Sequence, residues 1–134
     1  PAEGIPSKLE QWPVQLHLVP PTAPYFQNAD VVLAADCVAY SVGDFHARFL
    51  EDKALAIACP ELDSELDYYR QKLVEMIDAA EINTLSVLTM EVPCCRGLLK
   101  LAREAAEAAE RKLPVKSIEV SVQGEILDEK WVDL

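Results

Sequence analysis

From Ala29 onward, short apolar runs alternate with helically spaced stripes. Residues 31–35 (VVLAA) and 54–58 (ALAIA) are continuously apolar and bounded by charge or turn signals, the pattern of strands covered on both faces. Residues 82–92 (INTLSVLTMEV) form a third such segment, rich in β-branched side chains. Between the second and third runs, Leu66, Tyr69, Leu73, Met76 and Ile77 fall on one helical stripe, and Ser64 with Asp67 has the spacing of a capping box. A second long helix is expected from just after Pro93 to about Lys112, with Leu98, Leu101, Ala102, Ala105 and Ala109 facing inward and Pro114 closing it. Asp44 followed by Phe45 and Phe49 suggests a shorter helix. Residues 115–122 (VKSIEVSV) alternate as a final strand near the sheet edge, with Gly124 at a turn.

Strands and helices in this alternation predict βαβ units with right-handed crossovers. The expected fold is a small three-layer α/β domain with a mostly parallel sheet and helices on both faces. The N-terminal region reads differently. Six of the nine prolines lie within residues 1–24, which suggests an extended arm ahead of an α/β domain spanning 25–134. Within the arm, Val14, Leu16 and Leu18 alternate with polar residues as one strand, stopped by Pro20-Pro21.

Composition narrows the function. With 134 residues the chain fits one domain, burying about two thirds of its unfolded surface without disulfide staples. A net charge of −11 leaves no basic stripe, which argues against nucleic acid and anionic membranes and for a basic or redox protein partner. No apolar run reaches membrane-spanning length and the N-terminus lacks a signal-peptide profile, so the cytoplasm is the expected compartment. The chain begins at Pro1, as a fragment of a longer protein would.

All four cysteines follow expected strands: Cys37 the first run, Cys59 the second, Cys94 and Cys95 the third. In a parallel sheet the carboxyl ends share one edge, where crevices hold ligands, so thiols far apart in sequence converge. Pro60 after Cys59 and Pro93 before Cys94 stiffen the backbone there. The 94/95 pair is expected in a first helical turn, where the dipole favours thiolate. Ala34, Ala35, Ala56 and Ala58 keep the strand ends slim. Four thiolates suit an iron–sulfur cluster, and equally zinc, with His46 or His17 able to replace one sulfur. Without any C-x-x-C pair, spacing does not choose between them, and a buried cysteine with no ligand is also an ordinary core residue. Asp36 reads either as an acceptor for a nearby loop or as a strand-terminating turn residue, and Arg96 either as a charge that offsets a cluster or as a solvated first-turn residue. A thiolate or cluster acting on a small substrate, or a zinc-stabilised interaction domain, remain alternatives.

Signatures for dinucleotides, P-loop nucleotides, serine hydrolases and zinc proteases are absent from the sequence. The segments LEQWPVQLHLVPPTAPYF (9–26), ADVVLAADCVAYSVGDFH (29–46), KALAIACPELD (53–63) and MEVPCCRGLL (90–99) resemble the C-terminal region of a prokaryotic ferredoxin-like iron–sulfur protein family. The likeness runs from about Leu9 to Gly124. In that family an N-terminal module carrying two [4Fe-4S] clusters precedes this region, and the residues from Pro1 onward are expected to correspond to the part that follows it. The resemblance implies electron transport and ligand roles for Cys37, Cys59, Cys94 and Cys95. The vicinal pair also resembles, faintly, a Cys-Cys-Gly motif of heterodisulfide-reductase-type domains, with Arg96 intervening before Gly97.

Overall fold

A computed structural model describes residues 4–93 and 96–134. The apolar runs form β1 (Asp30–Ala35), β2 (Ala54–Ala58) and β3 (Thr84–Met90), joined by β4 (Val115–Val120) and β5 (Ile126–Trp131) in one sheet of order β2-β1-β3-β4-β5. The β1–β2, β1–β3 and β3–β4 pairs are parallel, while β5 returns antiparallel on β4. Three crossovers make this register. A short α1 (Val38–Ser41) and a π-helical turn (His46–Leu50) link β1 to β2, α2 (Leu66–Asp78) links β2 to β3, and α3 (Arg96–Ala108) links β3 to β4. The chain steps one way from β1 to β2 and the other way afterwards. Right-handed crossovers therefore set α1 and the π turn on one face, and the contacting pair α2 and α3 on the other. The expected mostly parallel α/β sheet with helices on both faces is the observed one.

The helical stripes do what their spacing dictates. Tyr69, Leu73, Met76 and Ile77 of α2 and Leu98, Leu101, Ala102 and Ala105 of α3 are buried in one core with Leu33, Leu85 and Val87 of the sheet. Three local expectations fail. The capping box does not form, because α2 starts at Leu66 and its flanking residue Glu65 makes no side-chain cap; Asp67 instead binds Arg70 one turn on at 2.6 Å. The short helix expected around Phe45 and Phe49 is a single π-helical turn. The strand at 115–122 lies near the edge as expected but is not the final one: β5 lies outside it, unmarked in sequence because five of its six residues are exposed and leave no apolar face.

The N-terminal arm is not a strand but a strap. Among its described residues only Gln15 forms a parallel bridge, to Ile57 on the outer edge of β2, and the chain then turns, so that Leu18 is exposed while Leu16 and Val19 are buried. The cause lies across the fold in α2. Lys72, 6% exposed, donates from Nζ to the carbonyls of Leu16 (2.9 Å), His17 (2.7 Å) and Val19 (2.8 Å), which fixes a turn where alternation alone predicts extension. Further upstream, the Gln11 carboxamide substitutes for a strand: Nε2 donates to the Leu55 carbonyl and Oε1 accepts from the Leu55 N–H, both at 2.7 Å. Both backbone groups of a β2 edge residue are thereby paired, closing an edge that would otherwise template association. Replacing Gln11 by Ala is expected to cost about 1–2 kcal/mol in urea unfolding and to raise hydrogen exchange at Leu55; unchanged exchange there would contradict this edge role.

At the amino edge, Asp30 Oδ1 accepts from Asn83 Nδ2 (2.8 Å) and Thr84 Oγ1 (2.7 Å), tying β1 to the start of β3. The hydrogen bond from Thr84, then that from Asn83, holds its carboxyl below the ordinary carboxylate range, with Lys53 adding attraction. Folding thus favours the ionised form, and the stabilisation is present above the unfolded carboxylate pKa and lost as pH falls through the lower folded value. The stability advantage of the wild type over Asp30→Asn is expected to shrink as acid titrates this carboxyl. A difference that stays constant down to pH 2 would show that the carboxylate form is not what the two donors hold.

Candidate functional site

Because β1 sits between β2 and β3 and the chain leaves it in opposite senses, the carboxyl ends of β1 and β3 form a topological switch point, the place where open α/β sheets bind ligands. Cys37 and Cys59 both stand at this edge, two and one residues respectively beyond the register pair formed by Ala35 and Ala58: Cys59 directly follows Ala58, and Cys37 follows Asp36. The Asp36 N–H continues the ladder by donating to the Ala58 carbonyl at 3.1 Å. Cys37, the residue flanking the start of α1, is exposed; Cys59 is half-buried, and neither is in a disulfide.

The loop after β2 closes on Cys59 from both sides. Its N–H donates to Asp63 Oδ2 at 3.1 Å, while its carbonyl accepts from the N–H groups of Leu62 (3.1 Å) and Asp63 (2.9 Å). That turn, with Pro60 inside it, holds the thiol's backbone rigidly. The opposite wall is the start of α3. A methyl group added at Gly97 would lie 3.2 Å from Pro60 Cβ, so the glycine lets the first turn of α3 approach the residue next to Cys59. Cys94 and Cys95, and the helical first turn expected for them, lie outside the described residues. Their described neighbours are Pro93, after the end of β3, and Arg96, the first residue of α3.

Carboxylates surround this edge. Asp36 is half-buried, and burial, then the charge of Asp63, push its carboxyl above the ordinary range, partly offset by a hydrogen bond from Gln15. Gln15 Nε2 stands 3.5 Å from Asp36 Oδ1. Tyr69, 2% exposed on the first turns of α2, has its phenol pushed up to about 12 by burial and then by the charge and hydrogen bond of Asp63. The phenol is a fixed neutral donor at physiological pH.

The two histidines have other partners. His46 Nδ1 accepts the Lys8 N–H at 3.0 Å, and His17 stands 3.8 Å from Glu65 with its ring edge-on to Tyr68 and Tyr69. Among the described residues no group of three histidine, cysteine or acidic side chains is placed to hold a metal ion. Two cavities flank the edge. One of about 440 Å³ is lined by Gln15, His17, Leu62, Asp63, Glu65 and Tyr69, and the other, of about 390 Å³, lies between the arm, β1 and the π turn.

The sequence pattern placed Cys37 and Cys59 after strands and singled out Asp36. It missed Gln15, Asp63 and Tyr69. Nothing local in the sequence marked Asp63, whose side chain reaches four residues back to the Cys59 N–H. Tyr69 looked like any core aromatic on the α2 stripe, and Gln15 like the outward position of a strand.

No helix among the described residues is long and apolar enough to cross a membrane. The profile of a family described as Rossmann-like domain matches residues 23–133. A protein of unassigned function from Archaeoglobus fulgidus is 34% identical over 119 residues, covering 89% of this chain and 83% of the relative. No solved structure matches the chain.

Proposed function

The chain belongs to the Rossmann-like domain family, and from that premise we propose that the carboxyl edge of its sheet is an iron–sulfur site serving electron transfer or redox sensing. The observation that carries this reading is the meeting of three cysteine-bearing segments. Asp36, next to Cys37, bonds to Ala58, next to Cys59, and Pro60, next to Cys59, lies against Gly97, two residues beyond Cys95. Cys37, Cys59, Cys94 and Cys95 would hold the cluster, most simply a [4Fe-4S] cluster with four thiolates. The described pair fits this donor set in chemistry and in placement at adjacent strand ends; two thiols alone do not complete a shell, so the reading requires the 94/95 pair. Zinc on the same thiolates is the alternative metal. A histidine-substituted shell is less well supported, because His46 is engaged with Lys8 and His17 stands beside Glu65.

When bound, the cluster would supply one-electron chemistry. The protein's own part is to set its environment. Cys59 is held by the Asp63 turn, and the carboxylates of Asp36 and Asp63 disfavour the added negative charge of reduction, which lowers the potential, whereas Arg96 offsets it. A chain carrying −11 overall suits a basic redox partner, and the sequence resemblance suggests a ferredoxin module of its own kind as the electron source.

Anaerobic reconstitution with ferrous iron and sulfide, followed by iron and sulfide analysis and EPR of the reduced protein, tests the proposal. The expected result is about four iron and four sulfide per chain, with retained iron falling in Cys59→Ser and Cys94→Ser. Sub-stoichiometric iron that is indifferent to Cys94→Ser would refute it.

A further inference from the structure

The 390 Å³ cavity between the arm, β1, β2 and the π turn involves none of the described cysteines, and its volume lies within the range of small-molecule sites. Its walls are apolar, from Leu9 and Val14 of the arm, Ala34 of β1, Leu55 and Ile57 of β2, and Phe45 and Leu50 around the π turn. Small side chains create the space: Ala34 and Ala35 floor it and Ala39 of α1 borders it. Polar groups enter at few points. Asp36 and Gln15 lie together on one side, with Gln15 Nε2 directed at Asp36 Oδ1, which leaves the Gln15 carbonyl oxygen and the second Asp36 oxygen as acceptors. His46 also lines the cavity with Nδ1 already accepting the Lys8 N–H, which fixes its other nitrogen as the donor in the neutral ring.

The charge is the informative part. Asp36 forms no salt bridge with any lysine or arginine among the described residues, whereas Lys8, Arg48, Arg70 and Lys116 are all paired with carboxylates. The charge that bears on it is the like one of Asp63. A carboxylate at the wall of an apolar cavity, repelled by a second carboxylate and with the spare Gln15 carbonyl oxygen as a further acceptor, is complementary to a cation that carries N–H donors on a hydrocarbon body.

We propose that this cavity binds a small organic ammonium ligand, its apolar body against Phe45, Leu55 and Ile57 and its ammonium group on Asp36 and Gln15. Anionic ligands are disfavoured by the two carboxylates, and neutral ones leave Asp36 uncompensated. The inference does not depend on the cluster reading, since it uses none of the thiols.

The test is an NMR titration of the full chain with three probes of one shape: benzylamine, benzyl alcohol and benzoate. Benzylamine is expected to give saturable shifts centred on the amides of Asp36, Ala39, Tyr40 and His46, with affinity about ten-fold or more above benzyl alcohol, as a charge-assisted hydrogen bond provides. Asp36→Asn should remove that preference and leave the weak alcohol binding unchanged. Ala39→Trp, at an exposed bordering position, should weaken both and leave the rest of the spectrum intact. Equal binding of amine and alcohol, preference for benzoate, or shifts scattered away from this cavity would each overturn the proposal.

Discussion

Replacing Lys72 by Met should release the N-terminal strap and cost about 3 kcal/mol or more of folding stability. Methionine keeps the apolar stem within α2 but removes the ammonium that serves the carbonyls of Leu16, His17 and Val19. Hydrogen bonds to charged groups contribute about 1.5–3 kcal/mol each, and a buried acceptor left unpaired costs about 1–3 kcal/mol. Partial hydration of the exposed His17 segment keeps the sum well below three full bonds. Loss of the turn also frees Leu16 and Val19, both fully buried, from the core. The midpoint of urea unfolding should fall, and amide exchange should rise first at Leu18 and Val19, whose N–H groups donate to Gln15 inside the same turn. A variant as stable as the wild type, with those amides still protected, would mean that the arm is held by its apolar contacts alone.

Gly124→Ala is expected to be the most damaging single-methyl change. Gly124 closes the β4–β5 hairpin with φ +90°, a conformation that L side chains rarely adopt, and a Cβ there would overlap the Ser41 carbonyl oxygen and lie 3.1 Å from the Ser41 carbonyl carbon. Strain of this kind costs about 1–3 kcal/mol, and displacing the end of α1 adds to it. The expected loss is about 2–4 kcal/mol by denaturant unfolding. Gly4 is the internal control: its φ is +80°, yet no described residue lies within 4 Å, so Gly4→Ala carries the backbone term without the collision. Equal effects at the two glycines would show that the contact with Ser41 is not a constraint.

The parts of the fold that were legible in sequence are those fixed by local period. The apolar runs at 31–35, 54–58 and 84–90 are strands because both of their faces are covered, and the α2 and α3 stripes are buried where helical spacing puts them. The illegible parts depend on distant partners. Residues 14–18 alternate like a strand, but the decisive contact comes from Lys72, more than fifty residues away, and no local pattern marks a lysine that will be buried by carbonyls. β5 escaped because an edge strand with one solvated face and charged residues at 128–130 has no apolar signature. The candidate site shows the same division. The positions of Cys37 and Cys59 after strands were readable, whereas the Cys59–Asp63 turn, the Asp63–Tyr69 contact and the pairing of Gln15 with Asp36 arise only when three loops meet.

The account rests on thiols from separate crossovers sharing one edge, and dibromobimane, which becomes fluorescent only when it bridges two neighbouring thiols, reports this without any metal. A chain with Cys37 and Cys94 replaced by Ser keeps Cys59 and Cys95 as its thiols. Mass spectrometry should find this chain bridged between those two residues, with strong fluorescence that disappears in urea. Two singly alkylated cysteines with no bridge, in a chain that is demonstrably folded, would contradict the convergence on which the cluster proposal stands.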